Sequence, residues 1–193
     1  MLYRFFKAIF HVLFKILYRY EAVGLNHIPA SGPVVLCANH TSNLDPPFLG
    51  TPLDRDVHYM AKAELFAVPV LGWVLPRIKA FPVKRGGVSK ESIRLSLGLL
   101  KDGNVIGIFP EGSRSNAGGM GKKGAASLAL RGDAEVIPAA IIGTYAPFRK
   151  MKIVYGQAID LSEFKEAGSE GLELATDKIM STIRAMKAEH EKK

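Results

Sequence analysis

The chain has a single cysteine, Cys37, which excludes an internal disulfide and fits a reducing compartment. Because it sits in the apolar run VVLCANH, that cysteine is expected in the buried core. No apolar stretch of about 18 residues runs free of charge, so a conventional spanning helix is not expected. The five histidines, at 11, 27, 40, 58 and 190, show no ligand-like spacing, and no metal site is expected. There is no G-x-S-x-G elbow and no G-x-x-x-x-G-K-[ST] loop, which removes the usual grounds for a serine acyl-enzyme or a nucleotide P-loop. Acids are scarce in two places. Residues 1–20 have none, and residues 77–101 have Glu91 alone against seven basic residues. Internal repeats are absent, and the one biased patch is a short Gly-rich run at 118–124.

What is present is apolar and basic. Apolar residues make up 48% of 193 positions, and mean hydropathy is +0.10. That length suits one domain with a substantial core. A formal charge of +8 calls for an anionic partner: a membrane surface, a phosphorylated substrate or nucleic acid. Neither basic segment interleaves aromatics as a base-stacking surface does, so nucleic acid is not expected.

The first twenty residues, MLYRFFKAIFHVLFKILYRY, lack a small-residue cleavage site and do not read as a signal peptide. On a helix, Arg4, Lys7, His11 and Lys15 form one cationic stripe, and Leu2, Phe5, Phe6, Ile9, Phe10, Leu13, Phe14, Ile16 and Leu17 cover the rest. This suits an amphipathic helix lying in a membrane interface. The alternative is a helix docked on the protein's own core with the basic stripe outward. The expected division is 1–22 as the membrane-associating helix and 23–193 as a single domain.

After a linker containing Gly24, Pro29, Ser31, Gly32 and Pro33, strand-like and helix-like runs alternate. Strands are expected at 34–39, 57–61, 78–83, 104–109, 135–142 and 151–156. Helices are expected from Pro46, with Asp45 as its cap, at 64–75, interrupted by Pro69 and Gly72, and at 89–101 and 122–131, with a polar one from about 162. Such alternation predicts an α/β fold, a layered sheet of mixed or parallel strands flanked by helices. The apolar 64–76 run is either core or the wall of an acyl-chain groove.

Two polar motifs fall where strands end, the places at which layered α/β folds gather ligands. In NHTSNLD (39–45), His40 and Asp45 are five apart. On one continuous helix they would point about 140° away from each other, but across a turn they can meet. A carboxylate on one ring nitrogen would fix the tautomer and leave the other as a general base. The alternative is a turn-capping histidine beside a helix-capping aspartate. With Cys37 inside the strand, no nucleophile presents itself, and the simpler chemistry has His40 deprotonate a substrate hydroxyl. In FPEGSRS (109–115), Arg114 could hold phosphate bidentately, Gly112 would let backbone N–H groups approach it, and Ser113 and Ser115 are donors. Lys122 and Lys123 follow at a helix start. The alternative there is a solvated basic loop.

Together NHTSNLD and FPEGSRS resemble the hallmark blocks N-H-x-S-x-x-D and F-P-E-G-T-R-S of the glycerolipid acyltransferases, with Ser113 in place of threonine. AFPVKR (80–85) is similar to a third block, with Lys84 where an acid often precedes the arginine, and VIPAAI (136–141) is similar to a fourth. The resemblance spans about residues 25–160 and includes the order of the blocks. It implies transfer of a fatty acyl group from acyl-CoA or acyl carrier protein to the sn-2 hydroxyl of lysophosphatidic acid, without a bound cofactor. By the same resemblance His40 is the base and Asp45 its partner, while Arg85, Glu111, Gly112 and Arg114 line the acceptor-phosphate site. Lys123 is added on charge grounds. Glu111 would repel an anion unless it positions Arg114 or Arg85. Such a protein is expected at the cytoplasmic face of the cell membrane, peripheral or monotopic. Rival readings are an acyltransferase for glycerol 3-phosphate or another lysophospholipid, and a non-enzymatic basic protein that binds membranes or nucleic acid.

Overall fold

The computed structural model describes residues 2–83, 90–112 and 121–191. Seven strands form one sheet: β1 (Glu21–Val23), β2 (Val34–Ala38), β3 (Val57–Lys62), β4 (Ala80–Val83), β5 (Val105–Ile108), β6 (Glu135–Ile142) and β7 (Lys152–Tyr155). Their order is β1-β7-β6-β2-β5-β3-β4, and every pair is parallel except β6 with β7. The helices are α1 (Leu2–Tyr18), α2 (Asp45–Gly50), α3 (Pro69–Arg77), α4 (Lys90–Lys101), α5 (Gly124–Arg131) and α6 (Gly168–Glu191). The fold is therefore the α/β sheet with flanking helices that the alternation predicts.

The central strand shows why its sequence is an unbroken apolar run. All five residues of β2 have no exposed surface, since both faces of a parallel sheet are covered. Val34, Leu36 and Ala38 join a core with Phe14 and Tyr18 of α1 and Phe48 and Leu49 of α2. Val35 and Cys37 point the other way, into a core with Leu100 of α4, Ala126 and Leu128 of α5, and Ile179 and Ile183 of α6.

Several sequence expectations need correction. The expected 1–22 helix ends at Tyr18, and a short strand before the linker, β1, pairs with β7 from Glu21↔Lys152 to Val23↔Val154. In 64–75 the interruption expected at Pro69 is a full break, with a 3₁₀ turn over Ala63–Ala67, Val68 extended and α3 starting at Pro69, which lacks the N–H that would continue a helix, whereas Gly72 does not interrupt α3. None of α3 is buried, so this apolar segment is not core. The polar C-terminal helix begins at Gly168, after a 3₁₀ turn at Ser162–Phe164.

Helix α1 combines features of both readings made from the sequence. Phe14 is wholly buried, edge-on to Phe48 at 5.1 Å between ring centroids, and Tyr18 packs near it. Phe5, Ile9, Val12, Leu13 and Ile16 remain exposed on the outward side. The cationic stripe is divided rather than outward: Lys7 donates to the Leu53 carbonyl and His11 meets the Tyr20 hydroxyl, whereas Arg4 and Lys15 are exposed. The outward face of α1 is thus mainly apolar, and its inner face belongs to the same core as the sheet.

Candidate active site

Strands β2 and β5 are adjacent at the centre of the sheet, yet their connections diverge. From β2 the chain passes through α2 to β3, on the far side of β5; from β5 it passes through α5 to β6, on the far side of β2. These helices lie on opposite faces, which makes the carboxyl ends of β2 and β5 a topological switch point. NHTSNLD leaves β2 there, and FPEGSRS leaves β5.

His40 and Asp45 do meet. The imidazole Nδ1 lies 2.9 Å from Asp45 Oδ2, and since the carboxylate can only accept, Nδ1–H donates. This tautomer leaves Nε2 as the acceptor nitrogen. Asp45 is completely buried and takes three more donors: the backbone N–H of Thr41 at 2.5 Å, that of Ser42 at 2.6 Å, and the Tyr145 hydroxyl at 2.8 Å to Oδ1. A buried carboxylate survives only when so compensated. Contrary to the capping expectation, Asp45 is the first residue of α2, and its side chain closes the turn behind it. Two prolines follow and start the helix.

The ring of His40 stacks on Phe109 at 4.3 Å, one residue past β5. Glu111, 4% exposed, accepts the backbone N–H of His40 at its Oε2, 2.9 Å away. This contact gives the awkward carboxylate a role: it ties the loop after β5 to the loop after β2. Asn39 does the same toward β6, giving to the Ile141 carbonyl and accepting its N–H at 3.0 and 2.8 Å. Gly112 has φ +71°, a backbone conformation that favours glycine, and the end of the Lys122 side chain lies close against it. The Lys122 N–H donates to the Pro110 carbonyl at 2.8 Å. Lys123, by contrast, pairs with Glu173 and Ser169 on α6. Of the two lysines it is Lys122 that lies against the motif. Arg85, Ser113, Arg114 and Ser115 fall outside the described residues.

Beside the strand ends is a cavity of about 260 Å³, bounded by Asn39, Thr41 and Glu111 on one side and Met180, Arg184 and Lys187 of α6 on the other. Among the described residues no His, Cys, Asp and Glu grouping could hold a metal. Cys37 is buried and its thiol is pushed up to about 12 by desolvation, which leaves it inert as a nucleophile. Sequence reasoning missed Asn39, Phe109 and Tyr145 as contributors. Asn39 and Phe109 were inside the quoted motifs, but nothing local marked Tyr145.

A histidine oriented by a buried carboxylate at the switch point of a sheet has the geometry that general-base chemistry requires. Residues 19–142 match the family model described as Acyltransferase, and the chain belongs to that family. Over 167 residues it is 34% identical to the 1-acyl-sn-glycerol-3-phosphate acyltransferase of Bacillus subtilis, covering 83% of this chain and 84% of that protein. The chloroplastic 1-acyl-sn-glycerol-3-phosphate acyltransferase LPAT1 of Arabidopsis thaliana is 33% identical over 132 residues, 66% of this chain and 37% of that longer protein. The crystal structure of the 1-acyl-sn-glycerophosphate (LPA) acyltransferase PlsC from Thermotoga maritima superposes with a TM-score of 0.71 at 25% identity, covering 97% of this chain and 78% of that one.

Proposed function

We propose that the protein transfers a fatty acyl group from a thioester, acyl-CoA or acyl carrier protein, to the sn-2 hydroxyl of lysophosphatidic acid, forming phosphatidic acid. The names of its relatives support the acceptor. The observation that carries the chemistry is the His40–Asp45 bond, with Asp45 held by three further donors. His40 Nε2 takes the hydroxyl proton as the alkoxide oxygen attacks the thioester carbonyl carbon. A C–O bond forms, the C–S bond breaks, and the imidazolium returns its proton to the departing thiolate. A thiol with parent pKa near 8.5 leaves without a strong acid, so one base serves both directions. The inert Cys37 supports direct transfer without an acyl-enzyme.

The acceptor phosphate is assigned to Arg85, Glu111, Gly112 and Arg114 by the motif, with Lys122 a better placed neighbour than Lys123. Glu111 holds the His40 backbone N–H and would serve the anion by positioning Arg114 or Arg85. No helix among the described residues is long and apolar enough to cross a membrane. The protein is proposed to rest on the cytoplasmic leaflet through the outward face of α1, with Leu65, Val70, Leu71 and Trp73 meeting lipid acyl chains.

Purified protein given labelled acyl-CoA or acyl carrier protein with a panel of acceptors tests this reading. Lysophosphatidic acid should be acylated well above glycerol 3-phosphate and other lysophospholipids. His40→Ala should lower turnover by roughly 10²- to 10⁴-fold, the usual contribution of a general base, without weakening vesicle binding. Full turnover by that variant would remove the base, and steep salt-dependent vesicle binding with no turnover by the native chain would leave only a basic membrane-binding protein.

A further inference from the structure

Asp45 has two carboxylate oxygens, and the site treats them differently. Oδ2 receives His40 Nδ1–H and the two backbone N–H groups, whereas Oδ1 receives one donor, the Tyr145 hydroxyl at 2.8 Å. Tyr145 comes from the loop after β6, a hundred residues away in the chain. Its ring is fixed edge-on between Tyr18 of α1 at 5.5 Å and Phe48 of α2 at 5.7 Å. Burial and the neighbouring Asp45 carboxylate push its phenol far above the ordinary tyrosine range, so it stays a neutral donor at any working pH.

We infer that Tyr145 is a positioning residue for the acyl transfer: its hydroxyl fixes the rotation of the Asp45 carboxylate and withdraws charge from it. The inference rests on His40 being the base. Two consequences follow from the geometry. With Oδ1 held, Oδ2 is presented to Nδ1 in one orientation and Nε2 faces the acceptor. With Oδ1 satisfied, part of the carboxylate's charge is drawn toward the phenol rather than the ring. The other groups around the ring leave this effect legible. Glu111 meets His40 at the backbone N–H, Phe109 stacks without charge, and Tyr18 touches Tyr145 rather than Asp45. Arg184 and Lys187 line the cavity that Thr41 and Glu111 also border, and neither changes in the variant.

Tyr145→Phe keeps the ring and its packing and removes only the donor. The full chain carrying it should show kcat lowered about tenfold, as for a lost hydrogen bond to a charged group, with KM for both substrates within twofold. Removing the donor strengthens the imidazolium–carboxylate pair, so more acid-side protonation must be overcome before the base is free. The acid limb of kcat/KM should therefore move to higher pH. The His40 ring signals in an NMR titration should move the same way. Tyr18→Phe, which trims a ring beside Tyr145 but not a bond to Asp45, should leave the limb where it was. An acid limb and ring titration unmoved in Tyr145→Phe, whatever happens to kcat, would overturn the inference. His40→Ala measured alongside separates the two readings: if it keeps turnover the base itself is wrong, and if it is inactive only the role of Tyr145 is at stake.

Discussion

Glu111 shows how a residue that looks misplaced in a motif acquires a physical role once its partner is known. As a carboxylate in a basic loop it should repel the acceptor's phosphate, yet it is buried and bonded to the N–H of His40. Glu111→Gln keeps a side-chain oxygen for that N–H and should cost less than tenfold in kcat. Glu111→Ala leaves a buried donor without its partner, worth roughly 1–3 kcal/mol, and should cost ten- to a hundredfold in kcat/KM. Equal effects of the two variants would place the role of Glu111 elsewhere; steady-state kinetics decides. The His40–Asp45 pair was legible because both partners lie within one seven-residue motif and the break from apolar run to turn is local. Tyr145 was not, since an aromatic after an apolar strand carries no mark of a partner a hundred residues upstream. Asp45 shows the opposite error: its place before two prolines suggests a cap, but the nearer backbone N–H groups of Thr41 and Ser42 capture its side chain.

Among the elements, strands and helices were readable from apolar runs and periodicity down to the four-residue β4, β5 and β7, and the three-residue β1 was not. Strand β1 has three residues, and only pairing with β7 makes it a strand. The 64–75 run was read as a helix interrupted at Pro69 and Gly72, and the chain breaks at Pro69 but carries α3 unbroken through Gly72. The consequence is an exposed apolar surface in which Trp73 is 53% accessible and carries the Arg77 guanidinium over its ring at 4.1 Å. An indole with a cation over its face suits the headgroup level of a bilayer. Trp73 is the chain's one tryptophan, so intrinsic fluorescence reports on this element alone. Adding vesicles that contain anionic lipid should shift its emission to the blue, and brominated acyl chains should quench it. Vesicle binding without either change would keep α3 off the membrane and leave α1 as the contact.

At the scale of the whole molecule, α1 is both part of the core and a surface in search of a partner, which decides how membrane contact must be tested. Deleting residues 1–20 would release Phe14, worth roughly 1.5–3 kcal/mol of burial, and would strip Tyr18 from beside Tyr145. Lost activity after deletion would then report unfolding as readily as lost membrane. The outward residues escape this difficulty: Ile9, Val12 and Ile16 are 44%, 56% and 63% exposed. Changing all three to Gln should leave thermal stability nearly unchanged, because none supports the core. If they lie in the interface, each loses roughly 1 kcal/mol of lipid contact, and vesicle partitioning should fall about a hundredfold. Of the basic stripe only Arg4 and Lys15 are free to meet an anionic leaflet, at about 1 kcal/mol each, so raised salt should weaken binding less than the triple variant does. Activity toward lipid vesicles should fall with partitioning, while activity toward a short-chain, water-soluble acceptor should persist. Undiminished sedimentation of the triple variant with vesicles would show that α1 is not the seat, and the apolar surface around Trp73 would have to hold the protein alone.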